Sequence, residues 1–189
     1  MLKKIFFFML FVLLLTGMAH AMEFSADMIM TSKEGRVMGK VFYKPDRFRM
    51  EVKSPEEMIT ITRMDKKVIW NIMPREKMYM EMPFSPKDKP KVEEKFEGEI
   101  EKRHVGNETI DGHPTKKYLI TYKSGSGKEQ VYQWWATDIN FPVKTAAVDS
   151  SWAQEYKNIK IGSQPNSFFE VPAGYKKFQM PGGMDFKFK

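Results

Sequence analysis

The side chains best suited to catalysis are few in this 189-residue chain and form no recognisable catalytic motif. There is no cysteine, so thiol catalysis and cysteine-ligated metals are excluded. Two of the three histidines, His104 and His113, lie beyond the N-terminal segment, and their spacing is not that of metal ligands. No phosphate-binding glycine loop or serine nucleophile elbow is present. We therefore expect no catalytic residue, metal or cofactor, and an enzyme is the least favoured class.

Methionine is the residue type whose placement indicates a function instead. In KMYMEMPF (77–84), Met78, Met80 and Met82 occupy alternate positions. A β-strand points alternate side chains to one face, so these three share a face. Ten of the sixteen methionines lie within residues 28–82. Because methionine is flexible and polarisable, it suits a surface that adapts to variable apolar ligands and specifies a unique core poorly.

This distribution leaves two hypotheses open, an apolar groove for acyl chains or an ordinary core that uses methionine. The groove would be lined by Met28, Met30, Phe48, Met50, Ile59, Ile61, Trp70, Met78, Met80 and Met82. It would take a lipid or the acyl chain of a lipoprotein. A filled core would instead favour an envelope protein-interaction or stress-sensing module that binds partners along an exposed strand edge. The assignment assumes no β-bulge, since one bulge inverts the faces of a strand.

Alternating segments separated by short polar turns run through most of the chain. They fall at residues 24–30, 36–44, 46–53, 57–64, 67–73, 77–82, 103–112, 114–123, 128–138, 141–148 and 151–162. Such spacing predicts an antiparallel meander. Because a sheet of this size must curl or split to bury one face, we predict a mainly β fold. About ten or eleven strands would form a strongly curved antiparallel sheet, an unclosed half-barrel.

A charged, proline-rich segment interrupts the meander at residues 83–103. Val92, Phe96 and Ile100 recur there at every fourth position, which predicts one amphipathic helix, with a loop as the alternative. We expect this segment to act as a lid over the mouth of the sheet. Residues 180–189 are predicted to form a loose tail after a last short strand.

The N-terminus predicts export. Lys3 and Lys4 precede an unbroken apolar run at residues 5–15, and the small residues of AHA follow. This is the pattern of a cleaved secretory signal peptide, predicted over residues 1–21. The apolar run is too short to span a bilayer comfortably, and the missing cysteine excludes lipidation. We therefore predict a single domain over residues 22–189 that is soluble in the periplasm.

The charge of the chain argues against nucleic acid as a partner. The formal net charge of +7 becomes +5 when Lys3 and Lys4 leave with the signal peptide. An excess of this size suits an anionic membrane surface or an envelope protein, or is merely a solvated surface. No basic stripe alternates with stacking aromatic residues, as single-strand binding requires. We expect a monomer.

Several stretches resemble the LolA/LolB-like superfamily of periplasmic outer-membrane lipoprotein carriers. In residues 39–82, the resemblance lies in KPD followed by FR, then in DKKVIW and MPREKMY. FFEVPAGYKK (168–177) is similar to the last strand and turn of the carriers. An exported family of this superfamily, known only as a domain of unknown function, is closer still, through residues 106–118, 134–144 and 155–175.

The resemblance implies an eleven-strand curved sheet whose open mouth is covered by helices and whose interior holds the lipid chains of client lipoproteins. It also implies a role in lipoprotein carriage and outer-membrane biogenesis. The chain departs from the carriers at its start, because residues 23–30 enter the sheet at once where the carriers begin with a helix. No residue that regulates opening of the carriers has a counterpart. A shared fold does not fix function.

Overall fold

Twelve strands run through the part of the chain that the computed structural model describes, residues 22–53, 56–85, 95–125 and 127–178. In chain order they are β1 (Phe24–Ser32), β2 (Gly35–Lys44), β3 (Arg47–Val52), β4 (Met58–Arg63), β5 (Val68–Met73), β6 (Met78–Pro83), β7 (Glu99–Ile110), β8 (His113–Ser124), β9 (Gly127–Ala136), β10 (Phe141–Ala147), β11 (Trp152–Ile161) and β12 (Lys176–Lys177). One turn of 3₁₀ helix, Asn166–Phe169, lies between β11 and β12. Within these ranges no helix is long and apolar enough to cross a membrane.

All twelve strands belong to one sheet, in the order β12-β6-β5-β4-β3-β2-β1-β11-β10-β9-β8-β7. Two antiparallel meanders, β1 to β6 and β7 to β11, join where β1 pairs with β11. β12 is the exception, because it runs parallel to β6. The sheet is not closed into a barrel, which confirms the predicted fold class. The strand count exceeds the expected ten or eleven because β12 adds a short edge. The predicted signal peptide (1–21) and tail (180–189) lie outside the described residues.

The sheet curls toward one of its two faces. We call the face that carries Phe24, Ala26, Met28 and Met30 of β1 the inner face, and the opposite face the outer face. The rings of Phe24 and Phe141 are in contact, with centroids 4.5 Å apart, although β11 lies between their strands. Neighbouring strands are roughly 4.8 Å apart, so two rings on alternate strands meet when the sheet curls toward them. The inner face is therefore concave.

Aromatic side chains fill the centre of the inner face. Phe141 packs edge-on against Phe24 and also against Tyr156, with centroids 5.2 Å apart in the second pair. Met28 and Val41 are buried beside them. Where β1, β10 and β11 meet, the concave face is thus an ordinary packed core.

The outer face of β4 and β5 is covered by the C-terminal segment. Ile59, Ile61, Trp70 and Ile72 are buried there against Phe169 of the 3₁₀ helix. The burial of these apolar side chains is the driving force that holds this segment to the sheet.

Arg63 fixes the same segment by hydrogen bonds. Its buried guanidinium donates to both carboxylate oxygens of Asp65, at 2.7 Å each. It also donates to the carbonyl of Phe169 at 3.1 Å and pairs with the Glu170 carboxylate. The hydrogen bond from Arg63 holds the pKa of Asp65 below its usual value. A buried cation is tolerated here because its donors are satisfied.

The helix predicted around Phe96 is not present in the described part of the segment. Residues 95–98 form a turn, and β7 begins at Glu99, so Ile100 lies in a strand and is 53% exposed. Val92 lies outside the described residues. The prediction of a helix through Phe96 and Ile100 is therefore wrong.

The physical reason lies in Gly98. Its φ of +72° suits glycine and interrupts a helix, and its carbonyl accepts a hydrogen bond of 2.9 Å from Lys123 N. A Cβ at this position would meet the Lys123 carbonyl oxygen at 2.7 Å. The backbone is thereby directed into pairing with β8. Phe96 is buried against Ile120 and Val131, which fixes the start of β7 to the inner face.

Candidate binding face

Seven of the ten residues predicted to line a groove lie on the inner face. One row of directly opposed residues across six strands shows the register: Met80, Asn71, Thr60, Met50, Val41 and Ala26. The seven are Met28, Met30, Phe48, Met50, Met78, Met80 and Met82. The prediction that the methionines of β6 share a face is confirmed by this register.

The other three, Ile59, Ile61 and Trp70, lie on the outer face. Ile61 is opposite Trp70, and Trp70 is opposite Glu81, which places all of them on the side away from Met80. Placing these three with the methionines was therefore wrong. The register of β3 with β4 puts Thr60 and Thr62 on the inner face, and the apolar residues of β4 pack against Phe169 instead.

A set of partly exposed methionines distinguishes the inner face of β1 and β3 to β6 from the packed centre. We call this set the methionine face: Met30, Met50, Met58, Met73, Met78, Met80 and Met82. Met30 and Met58 are 43% and 45% exposed, and the other five are half-buried. Met28, which is 2% exposed, belongs to the packed centre. Flexible thioethers on an open concave surface are typical of a face that adapts to apolar ligands.

Sequence reasoning missed Met58 and Met73 as members of this face. Met73 shares the inner face with Asn71, and Met58 shares it with Thr60. Met58 and Met73 were missed because the next residue on the same face of each strand, Thr60 in β4 and Asn71 in β5, is polar. Alternation from Met58 through Thr60 was the available signal.

The polar side chains of the methionine face satisfy one another. Thr60 Oγ1 donates a hydrogen bond of 2.9 Å to Asn71 Oδ1 in the next strand. Because this pair is internally bonded, it offers little to a polar ligand, and the surrounding surface remains apolar.

A second group of polar side chains lies on the inner face of β9 to β11. Gln133 is opposite Thr145, and Thr145 is opposite Gln154. Gln154 Nε2 donates to the hydroxyl of Tyr156, which is buried. Burial raises the pKa of Tyr156 to about 12, so this tyrosine stays neutral.

The two histidines beyond the leader each have a single polar neighbour. His113 Nδ1 lies 2.8 Å from Asp138 Oδ2, and His104 Nε2 lies 2.9 Å from Asn107 Oδ1. In the described ranges no three side chains of histidine, aspartate or glutamate are grouped to hold a metal ion. What the methionine face offers chemically is apolar contact with a ligand.

Two clefts lie away from the methionine face. One, of about 430 Å³, is walled by the ends of β7 and β8 and includes Glu108 and Thr115. The other, of about 240 Å³, includes Asp27, Lys40 and Lys160. Neither cleft is lined by a methionine, so the methionine face is an open surface separate from both.

Solved structures of MucB share this fold. The complex of MucA and MucB from Pseudomonas aeruginosa has a TM-score of 0.56 at 10% identity, over 82% of this chain and 57% of that chain. The structure of MucB alone has a TM-score of 0.56 at 10% identity, over 82% of this chain and 58% of that chain. The chain thus spans little more than half the length of MucB, and this likeness shows the fold alone. The structure of the lipoprotein LppX of Mycobacterium tuberculosis has a TM-score of 0.49 at 14% identity, over 76% of this chain and 86% of that chain.

Family membership follows from the sequence match. No curated protein matches this sequence. Residues 23–140, more than half of the chain, match the family described as DUF4412, a domain of unknown function. The predicted resemblance to a family known only as a domain of unknown function is confirmed by this match. The chain therefore belongs to the DUF4412 family.

Proposed function

We propose that this protein is a non-enzymatic binding protein of the periplasm that holds an acyl or lipid moiety against the methionine face. The observation that carries the proposal is the contrast between the two parts of the inner face. The centre is packed by aromatic residues such as Phe141, whereas Met78, Met80 and Met82 remain partly exposed. Such side chains are informative because they adjoin one another on one face, and contiguous exposed apolar patches mark surfaces for ligands or partners.

The energetics of an acyl chain on this face are favourable. Burial of each CH₂ contributes roughly 0.8 kcal/mol, and the loss of translational freedom opposes it. A long acyl chain therefore supplies several kcal/mol from apolar contact. This is consistent with the predicted export of the chain, since acylated proteins and phospholipids are plentiful at the periplasmic faces of the envelope. A lid role for Val92, Phe96 and Ile100 stays a prediction.

The second candidate function is binding of a protein partner. The observation that favours it is the fold shared with MucB, which has been solved in complex with MucA. In this case the packed centre of the inner face would be structural, and the partner would contact another part of the sheet. Lipid occupancy distinguishes the two candidates.

Native mass spectrometry of the protein purified without detergent tests the proposal, together with a pair of matched variants. Met80→Asp introduces a charge on the methionine face, whereas Met38→Asp does so at an exposed methionine of the outer face. We expect an adduct of lipid mass on the wild-type protein and on Met38→Asp, and its loss from Met80→Asp.

Circular dichroism should show the same fold for all three proteins. If Met80→Asp keeps its lipid, the methionine face is not the site. If the wild-type protein shows no adduct even after phospholipid or lipopeptide is added, the acyl-binding proposal fails and the protein-partner candidate is favoured.

A further inference from the structure

Gln133 of β9 has a buried polar atom that the proposed function leaves unexplained. The residue is 1% exposed, and its Oε1 has no hydrogen-bond partner among the described residues. Buried carbonyl oxygens are hydrogen-bonded in the great majority of cases, because leaving one unpaired loses its hydration without replacement. An orphan acceptor of this kind therefore marks a position where a donor is expected.

The register places this side chain on the face proposed to bind the ligand. Gln133 is directly opposite Thr145, Thr145 is opposite Gln154, and Gln154 is opposite Met30 of the methionine face. The register shifts of these pairings lie elsewhere, between Pro142 and Lys144 and between Ser25 and Asp27. No inversion of faces thus separates Gln133 from Met30.

The charge near Gln133 is that of Lys102, whose ammonium lies 4.5 Å from the ring centroid of Tyr118, the residue opposite Gln133, and 5.7 Å from that of Trp135. Gln154 is engaged with the hydroxyl of Tyr156, and Tyr156 remains protonated because burial raises its pKa. On either side of Gln133 in β9, Val131 and Trp135 are buried on the same face. The site therefore combines one acceptor with apolar and aromatic neighbours and one cation. Because an ammonium cannot accept a hydrogen bond and repels a second cation, the site suits a neutral donor within an otherwise apolar molecule.

We propose that Gln133 Oε1 accepts a hydrogen bond from an N–H or O–H group of the bound acyl compound, so that the protein selects amide-linked or hydroxylated acyl chains over simple esters. The inference rests on the proposed function, because the acyl chain must lie on the inner face beside Met30. It adds the chemical class of the ligand: a chain whose carbonyl end carries a neutral hydrogen-bond donor.

Titration calorimetry with three ligands of equal chain length tests this selectivity. N-methyl lauramide has an N–H donor, methyl β-hydroxylaurate has an O–H donor, and methyl laurate has none. We expect the wild-type protein to bind each donor ligand about tenfold more tightly than the plain ester. If only one of the two donor ligands is preferred, that preference shows whether the natural ligand is amide-linked or hydroxylated.

Gln133→Met removes the acceptor at similar volume, and Gln130→Met makes the same change on the exposed outer face of the same strand. We expect the Gln133 variant to bind all three ligands as the wild-type protein binds the ester. The Gln130 variant should keep the preference. The wild-type comparison alone carries the test if the Gln133 variant does not fold.

The outcomes separate the two claims. Equal binding of all three ligands by the wild-type protein overturns the selectivity and leaves acyl binding intact, as expected if Oε1 is paired by water only. A preference that survives in a folded Gln133→Met also overturns it. Binding of none of the three overturns the proposed function itself.

Discussion

Tyr156 illustrates how burial alone determines the chemistry of a side chain on the inner face. The ring packs against Phe141 and is almost completely enclosed. Loss of the phenolic proton would place a negative charge among apolar neighbours, so burial raises the pKa of Tyr156 to about 12. The hydrogen bond from Gln154 acts in the opposite direction and is the smaller influence.

This shift predicts a loss of stability at alkaline pH. An unfolded tyrosine ionises near pH 10, whereas folded Tyr156 keeps its proton to about pH 12. The stabilisation is therefore complete below about pH 10 and is lost as the pH rises toward 12. We expect the free energy of unfolding, measured by urea denaturation, to fall over this window by less in Tyr156→Phe than in the wild-type protein.

Tyr122 also has a pKa raised to about 12 and is present in both proteins, so it does not affect the comparison. Equal alkaline losses in the two proteins would show that Tyr156 is accessible to solvent, and would contradict the packed centre described above.

The 3₁₀ helix has the largest effect at the scale of elements, because it determines which face of β4 and β5 is covered. Phe169 is fully buried against β4 and β5, with Val171 and Tyr175 packed beside it. Its neighbour Phe168 stays partly exposed, with its ring 5.0 Å from that of Phe42. Two adjacent phenylalanines thus differ in burial while sharing one element.

We expect Phe169→Ala to lower the free energy of unfolding by about 3 kcal/mol or more, because a large buried side chain is removed and a cavity is left. Phe168→Ala is the matched control and should cost about 1 kcal/mol or less, since its side chain is only partly enclosed. Urea denaturation of the three proteins measures both values. Similar losses in the two variants would show that the 3₁₀ helix does not dock as described.

The strands were predictable from the sequence, whereas the faces of β4 and β5 were not. Alternation in MITITR separates Ile59 and Ile61 from Thr60 and Thr62, and that separation is correct. Which set faces inward depends on pairing with β3 and on cover from Phe169, more than a hundred residues away in the chain. Neither is local, so periodicity cannot reveal it.

Gln133 and Ile100 mark the other limits of local reasoning. A glutamine in a strand is ordinarily expected to face solvent, so its burial gave no sequence signal. Apolar residues at every fourth position, through Phe96 and Ile100, predicted a helix, but Gly98 redirects the backbone into β7. In both cases tertiary pairing overrides the local pattern.

The two edges of the sheet determine whether the sheets of two molecules can pair. β7 is one edge, and it is interrupted by register shifts at Glu99/Glu101 and at His104/Gly106. Charged residues such as Arg103 are exposed along it. Bulges and charges on an edge strand disfavour pairing with another sheet. At the other edge, β12 is two lysines long and pairs with Met78 and Tyr79 at the start of β6.

We therefore expect sedimentation of the wild-type protein to show a monomer at micromolar concentrations. Replacing exposed Glu101 and Arg103 of β7 together by valine should promote dimers or larger assemblies, because the edge loses its charges and gains β propensity. A stable wild-type dimer would contradict this account of the edge.

The pairing of β1 with β11 has a consequence for how the molecule is formed. Met28 lies opposite Tyr156, although most of the chain separates them, and β1 pairs on its other side with β2, the next strand along. Closing so long a loop is entropically costly, and folds with many such pairings reach the native state slowly. We infer that the two meanders take shape before they join. The pairing of β1 with β11, in the middle of the finished sheet, then forms last. A chain whose synthesis stops before β11 therefore leaves one edge of β1 unpaired.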